Sequence, residues 1–358
     1  MLFRSPGDPG PGDPGPGGSG PGGSGLGDPD AGPGGPGPGE PSLGDPGPGD
    51  ADSASSGPGG PAGPADPGGP DVSCAAGPTG AGVPEAVAVC RSADVIVMCL
   101  GEAAWMSGEA ASRANPKLPG RQRQLAEAIL DLGKPVVALL SCGRPLIAPW
   151  LVERADAVVA TWFLGSEAGN AIADVVTGRF NPTGRLPITW PRNIGQAPIF
   201  YSSRQSGRPA DPKDHYTSKY IDMPIEPQFP FGHGLSFSPM TLKNLRVSAE
   251  TFKAGEDVLA SVDVLNEGPI AGEATIFLFI RDVVASVARP LLELKGLAKI
   301  TLAPGARGSV HLPVPASAFA FPNANFQPAI EPGRFELSVG LSADRTRLLT
   351  VSIDAIVD

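Results

Sequence analysis

The stretch Gly101-Glu102-Ala103-Ala104-Trp105-Met106-Ser107-Gly108-Glu109-Ala110-Ala111-Ser112-Arg113 brings two carboxylates, an indole and a guanidinium together. Sugar hydrolysis needs one carboxylic acid to protonate the leaving oxygen and a second carboxylate on the opposite face of the ring. It also favours an aromatic platform for the ring. Glu102 and Glu109 are candidates for the acid, and Trp105 for the platform. A plainer account also fits: loop carboxylates are usually solvated, Glu109 and Arg113 can pair, and Trp105 can simply pack the loop.

Other chemistries find less support. Leu100-Gly101-Glu102 lacks a GxGxxG, and the chain holds no GxxxxGK[ST] and no GxSxG elbow. A nucleotide site or a serine triad is therefore poorly supported. Cys74, Cys90, Cys99 and Cys142 form no CxxC pair, and His215, His233 and His311 are scattered. That pattern argues against a zinc site or a disulfide framework and favours buried free thiols. No metal or cofactor is expected.

The loop needs a scaffold, and the flanking pattern supplies one. Pro84–Cys90 reads as a short helix, and Ala93–Leu100 is a continuous apolar run, expected to be a strand buried on both faces. Arg121–Leu132 has apolar residues at helical spacing, with Gly133 at the C′ position. Pro135–Leu140 and Ala157–Trp162 read as further strands, Leu146–Val152 as a short helix, and Gly184–Trp190 as a last strand. Ser166 is placed to cap a helix over Glu167–Thr177, which Gly178 closes. Alternating strands and helices predict a mainly parallel α/β sheet, whose ligands bind beyond the carboxyl ends of the strands. The 101–120 loop leaves the first strand at that end.

Beyond it, residues 192–240 are rich in Pro, Gly and aromatics and read as an extended connector. From about 241 the apolar residues alternate with a period of two, as in Val258, Ala260, Val262 and Val264. Later runs at Thr275–Ile280, Lys299–Leu302, Ser309–Pro313, Arg334–Val339 and Arg347–Ile353 predict an all-β sandwich over 241–358. At the other end, Gly and Pro make up 43 of the first 70 residues without a strict three-residue register. Residues 1–80 are expected to form a disordered tail leaning to polyproline II. Net charge is −10 over 358 residues. That acidity argues against nucleic acid as a partner. No run of 18 apolar residues suggests a membrane helix, and no apolar leader is visible, so the compartment stays open.

Several motifs occur in a telling order. Trp162-Phe163-Leu164-Gly165-Ser166-Glu167-Ala168-Gly169-Asn170-Ala171-Ile172-Ala173-Asp174 with Asn181-Pro182-Thr183-Gly184-Arg185-Leu186-Pro187 resembles the second domain of family 3 glycoside hydrolases. Gly101-Glu102, Gly108–Arg113 and Leu118–Gln122 resemble the loop of that family's bacterial periplasmic β-glucosidases, and Ser141–Pro145 its "GRP" turn. Phe229–Phe237 is similar to the "PFGYGLSY" connector, with His233 where Tyr is usual. Arg289-Pro290, Glu293–Gly296 and Pro304-Gly305 resemble the fibronectin III-like module that follows. Gly165, Gly169 and Ala173 are read as small residues for close helix–sheet packing.

The resemblance implies an α/β domain at 83–191 and a fibronectin III-like sandwich at 241–358. It implies a retaining mechanism acting on a β-glucoside or oligosaccharide. In the family the nucleophile is an Asp on an N-terminal TIM barrel, and the second domain gives the acid/base Glu. Counting back from Ser112-Arg113 places that Glu at Glu109, with Glu102 as the competitor because loop length varies. Trp105 and Arg113 are the substrate-binding candidates: Trp105 would border the leaving-group subsite, and Arg113 would orient the loop rather than touch sugar. A barrel takes about 250 residues, which the first 80 do not offer. The expectation is thus a chain that supplies the acid/base and depends on a barrel in trans. A non-catalytic carbohydrate-binding or scaffold module is the alternative, and a doubly wound nucleotide-binding domain a remote third.

Overall fold

The computed structural model describes residues 82–356. The expectations for the Gly/Pro-rich tail and for Cys74 lie outside the described residues. The described chain opens with helix α1 (Gly82–Arg91) and strand β1 (Ile96–Gly101). Helix α2 (Gln122–Leu130), strand β2 (Val136–Ser141), helix α3 (Pro149–Arg154), strand β3 (Ala157–Ala160) and helix α4 (Ala168–Val176) follow. The three strands form a parallel sheet in the order β1-β2-β3, with Ile96 opposite Val136 and Val137 opposite Ala157. Gly133 ends α2 at φ 66°, and Gly178 follows α4 at φ 77°, as a left-handed stop requires. Helix α3 starts three residues later than its apolar pattern suggests, because Pro149 fits the first helical position.

One sheet face is closed. Ile96, Met98, Leu100, Val136, Ala138 and Leu140 pack against Ala126 and Ile129 of α2 and Leu151 of α3. The other face is closed in part. Leu139 and Val159 are covered by Ile172 of α4 and by Leu235 and Phe237 of the connector. On β1 that face is open: Val97 is 47% exposed and Cys99 is exposed. The expectation of a strand buried on both faces is therefore corrected for β1. A continuous apolar run marks the residue types, not whether a neighbour covers them.

Three local expectations change as well. Gly184–Trp190 joins no parallel sheet. It runs beside the connector, with Trp190 N donating to Phe229 O at 2.8 Å and Leu186 N to His233 O at 2.8 Å. Ser166 does not cap α4, whose N-cap is Glu167, and Glu167 Oε2 instead accepts from Asn170 Nδ2 at 2.6 Å. Gly165 and Gly169 do not serve close packing, since a Cβ on either would meet nothing within 4 Å. Gly165 answers a backbone need instead, at φ 45°.

The second half is a two-sheet sandwich. Its strands are β4 (Met240–Val247), β5 (Thr251–Lys253), β6 (Val258–Asn266), β7 (Gly272–Asp282), β8 (Glu293–Leu302) and β9 (Arg307–Val314). A short pair, β10 (Phe321–Pro322) and β11 (Pro328–Ala329), precedes β12 (Gly333–Gly340) and β13 (Leu349–Ile356). One sheet runs β5-β13-β12-β7-β8 and the other β4-β6-β9. Alternate residues of β6 and β9 point inward to meet Ile276, Leu278, Leu337 and Val339. Phe252, Phe319 and Phe335 interlock there, with ring centroids 4.3–5.8 Å apart. Each such fully buried side chain contributes roughly 1.5–3 kcal/mol.

Asn181 ties the halves together. Its amide nitrogen donates to Ser238 Oγ and Ala271 O, and its oxygen accepts from Ser236 Oγ and Phe237 N. All four of its partners are thus on the connector or the sandwich, a satisfied arrangement for a side-chain amide.

Candidate functional site

The three parallel strands end side by side, and their loops converge there. Gly101 closes β1 at φ 144°, where a Cβ would lie 1.9 Å from Ser141 O, so the backbone can pass only as glycine. Gln122 of α2 grips that strand end with both amide atoms. Its Oε1 accepts from Gly101 N and its Nε2 donates to Gly101 O, each at 2.8 Å.

Glu102 follows, and its side chain is wholly buried, at 0% exposure. Arg113 Nη1 donates to its Oε1 at 2.6 Å, and Arg144 Nε to its Oε2 at 3.3 Å. A buried carboxylate needs such partners, because an isolated charge away from water is costly. Both oxygens are occupied by guanidinium groups, so Glu102 has no face to offer a sugar. Arg113 also donates to Lys117 O at 2.9 Å, so it closes the loop on itself. The simple pairing of Arg113 with Glu109 is therefore corrected to pairing with Glu102.

Glu109 is placed differently. It sits in a turn in which Ala111 N donates to Gly108 O at 3.3 Å, and it is exposed. Gly108 takes φ 126° and Ala110 takes φ 58°, a left-handed value costly for an alanine. Trp105 lies earlier in the same loop, in the 3₁₀ turn Ala104–Met106, and is 71% exposed. Phe163 and Leu164 leave the end of β3 and are also exposed. Phe163 lies beside the Gly143 backbone at the end of β2. Exposed apolar rings and an exposed carboxylate thus lie on the loops that leave the carboxyl ends of β1 and β3.

Arg144 stands out in the sequence only as part of the Ser141–Pro145 turn, with no role at the site. Gly143-Arg144-Pro145 reads as a turn, and nothing local announces what the guanidinium reaches. Besides Glu102, Arg144 Nη2 donates to Met106 O at 2.5 Å and to Ala111 O at 2.8 Å.

Neighbouring groups add no competing chemistry. Burial pushes the Cys142 thiol up to about 12, so it stays protonated and inert. Cys90 is half-buried and Cys99 exposed, so buried thiols are the rule only for Cys142. A surface cleft of about 470 Å³ lies away from the loop, lined by Gln196, Phe200, Tyr220 and Ile225. Its polar groups bond to the chain itself: Gln196 Nε2 to three carbonyls and Tyr220 OH to Gly195 O.

Comparison with known proteins gives this arrangement relatives. The model of the glycosyl hydrolase family 3 C-terminal domain matches residues 43–237, and that of a fibronectin type III-like domain matches residues 274–343. A periplasmic β-glucosidase of Salmonella typhimurium is 42% identical over 267 residues, covering 74% of this chain and 35% of its own length. A β-xylosidase of Formosa agariphila is 34% identical over 276 residues, covering 76% and 37%. The crystal structure of a Listeria innocua β-glucosidase in complex with glucose superposes with a TM-score of 0.72 at 37% identity, over 76% of this chain and 38% of that one. The chain thus spans about a third of the length of the relatives it matches.

Proposed function

The chain belongs to glycosyl hydrolase family 3, and from that premise we propose that its α/β half presents Glu109 as the acid/base of a retaining β-glycoside hydrolysis. The observation that carries this is the contrast between the two loop carboxylates. Glu102 is buried between two arginines, whereas Glu109 is exposed on the Gly108–Ala111 turn, in the same loop as the exposed Trp105.

The steps follow from the positions. A carboxylate on a barrel module attacks the anomeric carbon. Glu109 gives its proton to the departing oxygen as the glycosidic bond breaks. It then takes a proton from water, which hydrolyses the glycosyl ester and frees the sugar. Trp105 borders the leaving-group side, and Arg113 keeps the loop shaped through Glu102. No cofactor is needed. The substrate is a β-glucoside or a related oligosaccharide, by analogy with the glucosidase and xylosidase relatives. The same account keeps an α/β domain near 83–191, a connector to 240 and a sandwich to 358.

Among the described residues the α/β half has three parallel strands in the open order β1-β2-β3, which is not a barrel. In this reading the second carboxylate comes from another module. The 358-residue chain alone should hydrolyse an aryl β-glucoside negligibly, and adding a family 3 barrel module should restore turnover. Ordinary glycosidase turnover by the chain alone would refute this. Oligosaccharide binding with no turnover, even with a barrel present, would favour the carbohydrate-binding alternative.

A further inference from the structure

We infer that Arg144 is the positioning residue that presets the proton donor. The inference rests on the assignment of Glu109 as that donor. Arg144 leaves the end of β2, 42 residues along the chain from Glu102. It holds three points of the loop at once: Glu102 Oε2, Met106 O and Ala111 O. Met106 and Ala111 flank the Gly108–Ala111 turn, so the carbonyls before and after Glu109 share one nitrogen, Nη2. A planar fork suits such a junction, because it fixes directions as well as distances. The carboxylate of Glu102 holds the guanidinium from the buried side. Glu102 and Arg144 thereby form a plinth, and the turn bearing Glu109 rests on it.

The neighbouring glycine supports the same role. A Cβ on Gly143 would lie 1.9 Å from Ser107 Oγ and 3.2 Å from a Phe163 ring carbon. The loop therefore lies directly on the 143–144 backbone. Arg144 itself does not face outward with Glu109. Its effect on the reaction passes through the loop, and a shift of about 1 Å in a reacting group can cost a hundredfold in rate.

The test uses the full chain, alone and supplied with a barrel module. In the chain alone, Arg144→Ala and Arg144→Lys should speed amide exchange at Met106, Ser107 and Ala111 at least tenfold. With the barrel, both should lower kcat about 10- to 100-fold on aryl β-glucosides with poor leaving groups. For dinitrophenyl glucoside kcat/KM should be nearly unaffected, while kcat and KM fall together because the same carboxylate serves as base for the glycosyl ester. Gly143→Ala, which retains Arg144 but displaces Ser107, should give the same pattern if Arg144→Ala fails to fold. If Glu109→Gln shows the leaving-group pattern and none of these variants does, the positioning role is overturned alone. If Glu109→Gln lacks the pattern, the assignment of the donor falls and the positioning role falls with it.

Discussion

In the sandwich, Phe252, Phe319 and Phe335 are sealed between two sheets, and no core position is left uncovered. In the α/β half, Val97, Phe163 and Trp105 stand in solvent beside an open strand edge. Apolar runs and helical spacing built the α/β half, and period-two alternation built the sandwich. The difference lies in what is present to cover them. A sandwich covers its own sheets, because each sheet is the other's cover. A parallel sheet needs helices on both faces. The α/β half has α1, α2 and α3 on one face and only α4 with the connector on part of the other. It keeps an apolar core of its own around Leu140, Leu151 and Val158, while Trp105, Phe163 and Leu164 stay exposed at the carboxyl end of its sheet.

The largest effect should come from breaking the self-sealed half. Phe335→Ala should cost about 3–5 kcal/mol, seen as early loss of the sandwich in a denaturant titration followed by tertiary circular dichroism. An equal loss on Trp105→Ala would erase the contrast, since Trp105 has little to lose.

A somewhat smaller effect should single out the polar keystone of the other half. Glu102→Ala leaves Arg113 and Arg144 facing a void and should cost about 2–4 kcal/mol, less than for a wholly buried pair because both arginines keep some solvent. Hydrogen exchange should place the loss in residues 96–160 and leave the sandwich as protected as before.

The parallel sheet, the sandwich and most helices were legible because apolar runs, alternation and glycine stops are local. What a strand faces is not local, and Val95–Leu100 gives the same letters whether or not a layer lies over Val97. The split between Glu102 and Glu109 was legible only through resemblance. Its physical cause is a contact with Arg144, which no spacing rule connects to Glu102. Ser166 had the right type and place for a cap, yet the backbone placed Glu167 at the N-cap.

A pH titration sharpens the comparison further. Burial raises the Cys142 thiol from 9.0 to about 12. The folded state thus holds its proton while the unfolded state releases it, so the contribution is complete below pH 9 and is lost as pH rises from about 9 towards 12. Between pH 9 and 10 the loss should be about 1 kcal/mol. It should vanish in Cys142→Ala, whose stability should show a correspondingly shallower slope with pH.

The smallest effect belongs to the open face. Val97→Ser should change stability by less than about 0.5 kcal/mol. Met98→Ala, one residue along and facing the core, should cost about 2–5 kcal/mol. A costly Val97→Ser would mean that the face is already covered.

The account turns on which carboxylate gives the proton. The direct test is the rate of aryl β-glucoside hydrolysis by the barrel-supplied chain, measured against leaving-group acidity for Glu109→Gln and Glu102→Gln. Glu109→Gln should lose about 10²–10⁴ in kcat/KM with poor leaving groups and little in kcat/KM with dinitrophenolate, where only kcat falls because the glycosyl ester has lost its base. Glu102→Gln should lower all rates by a similar, smaller factor. A steeper leaving-group dependence in a folded Glu102→Gln than in Glu109→Gln would contradict it.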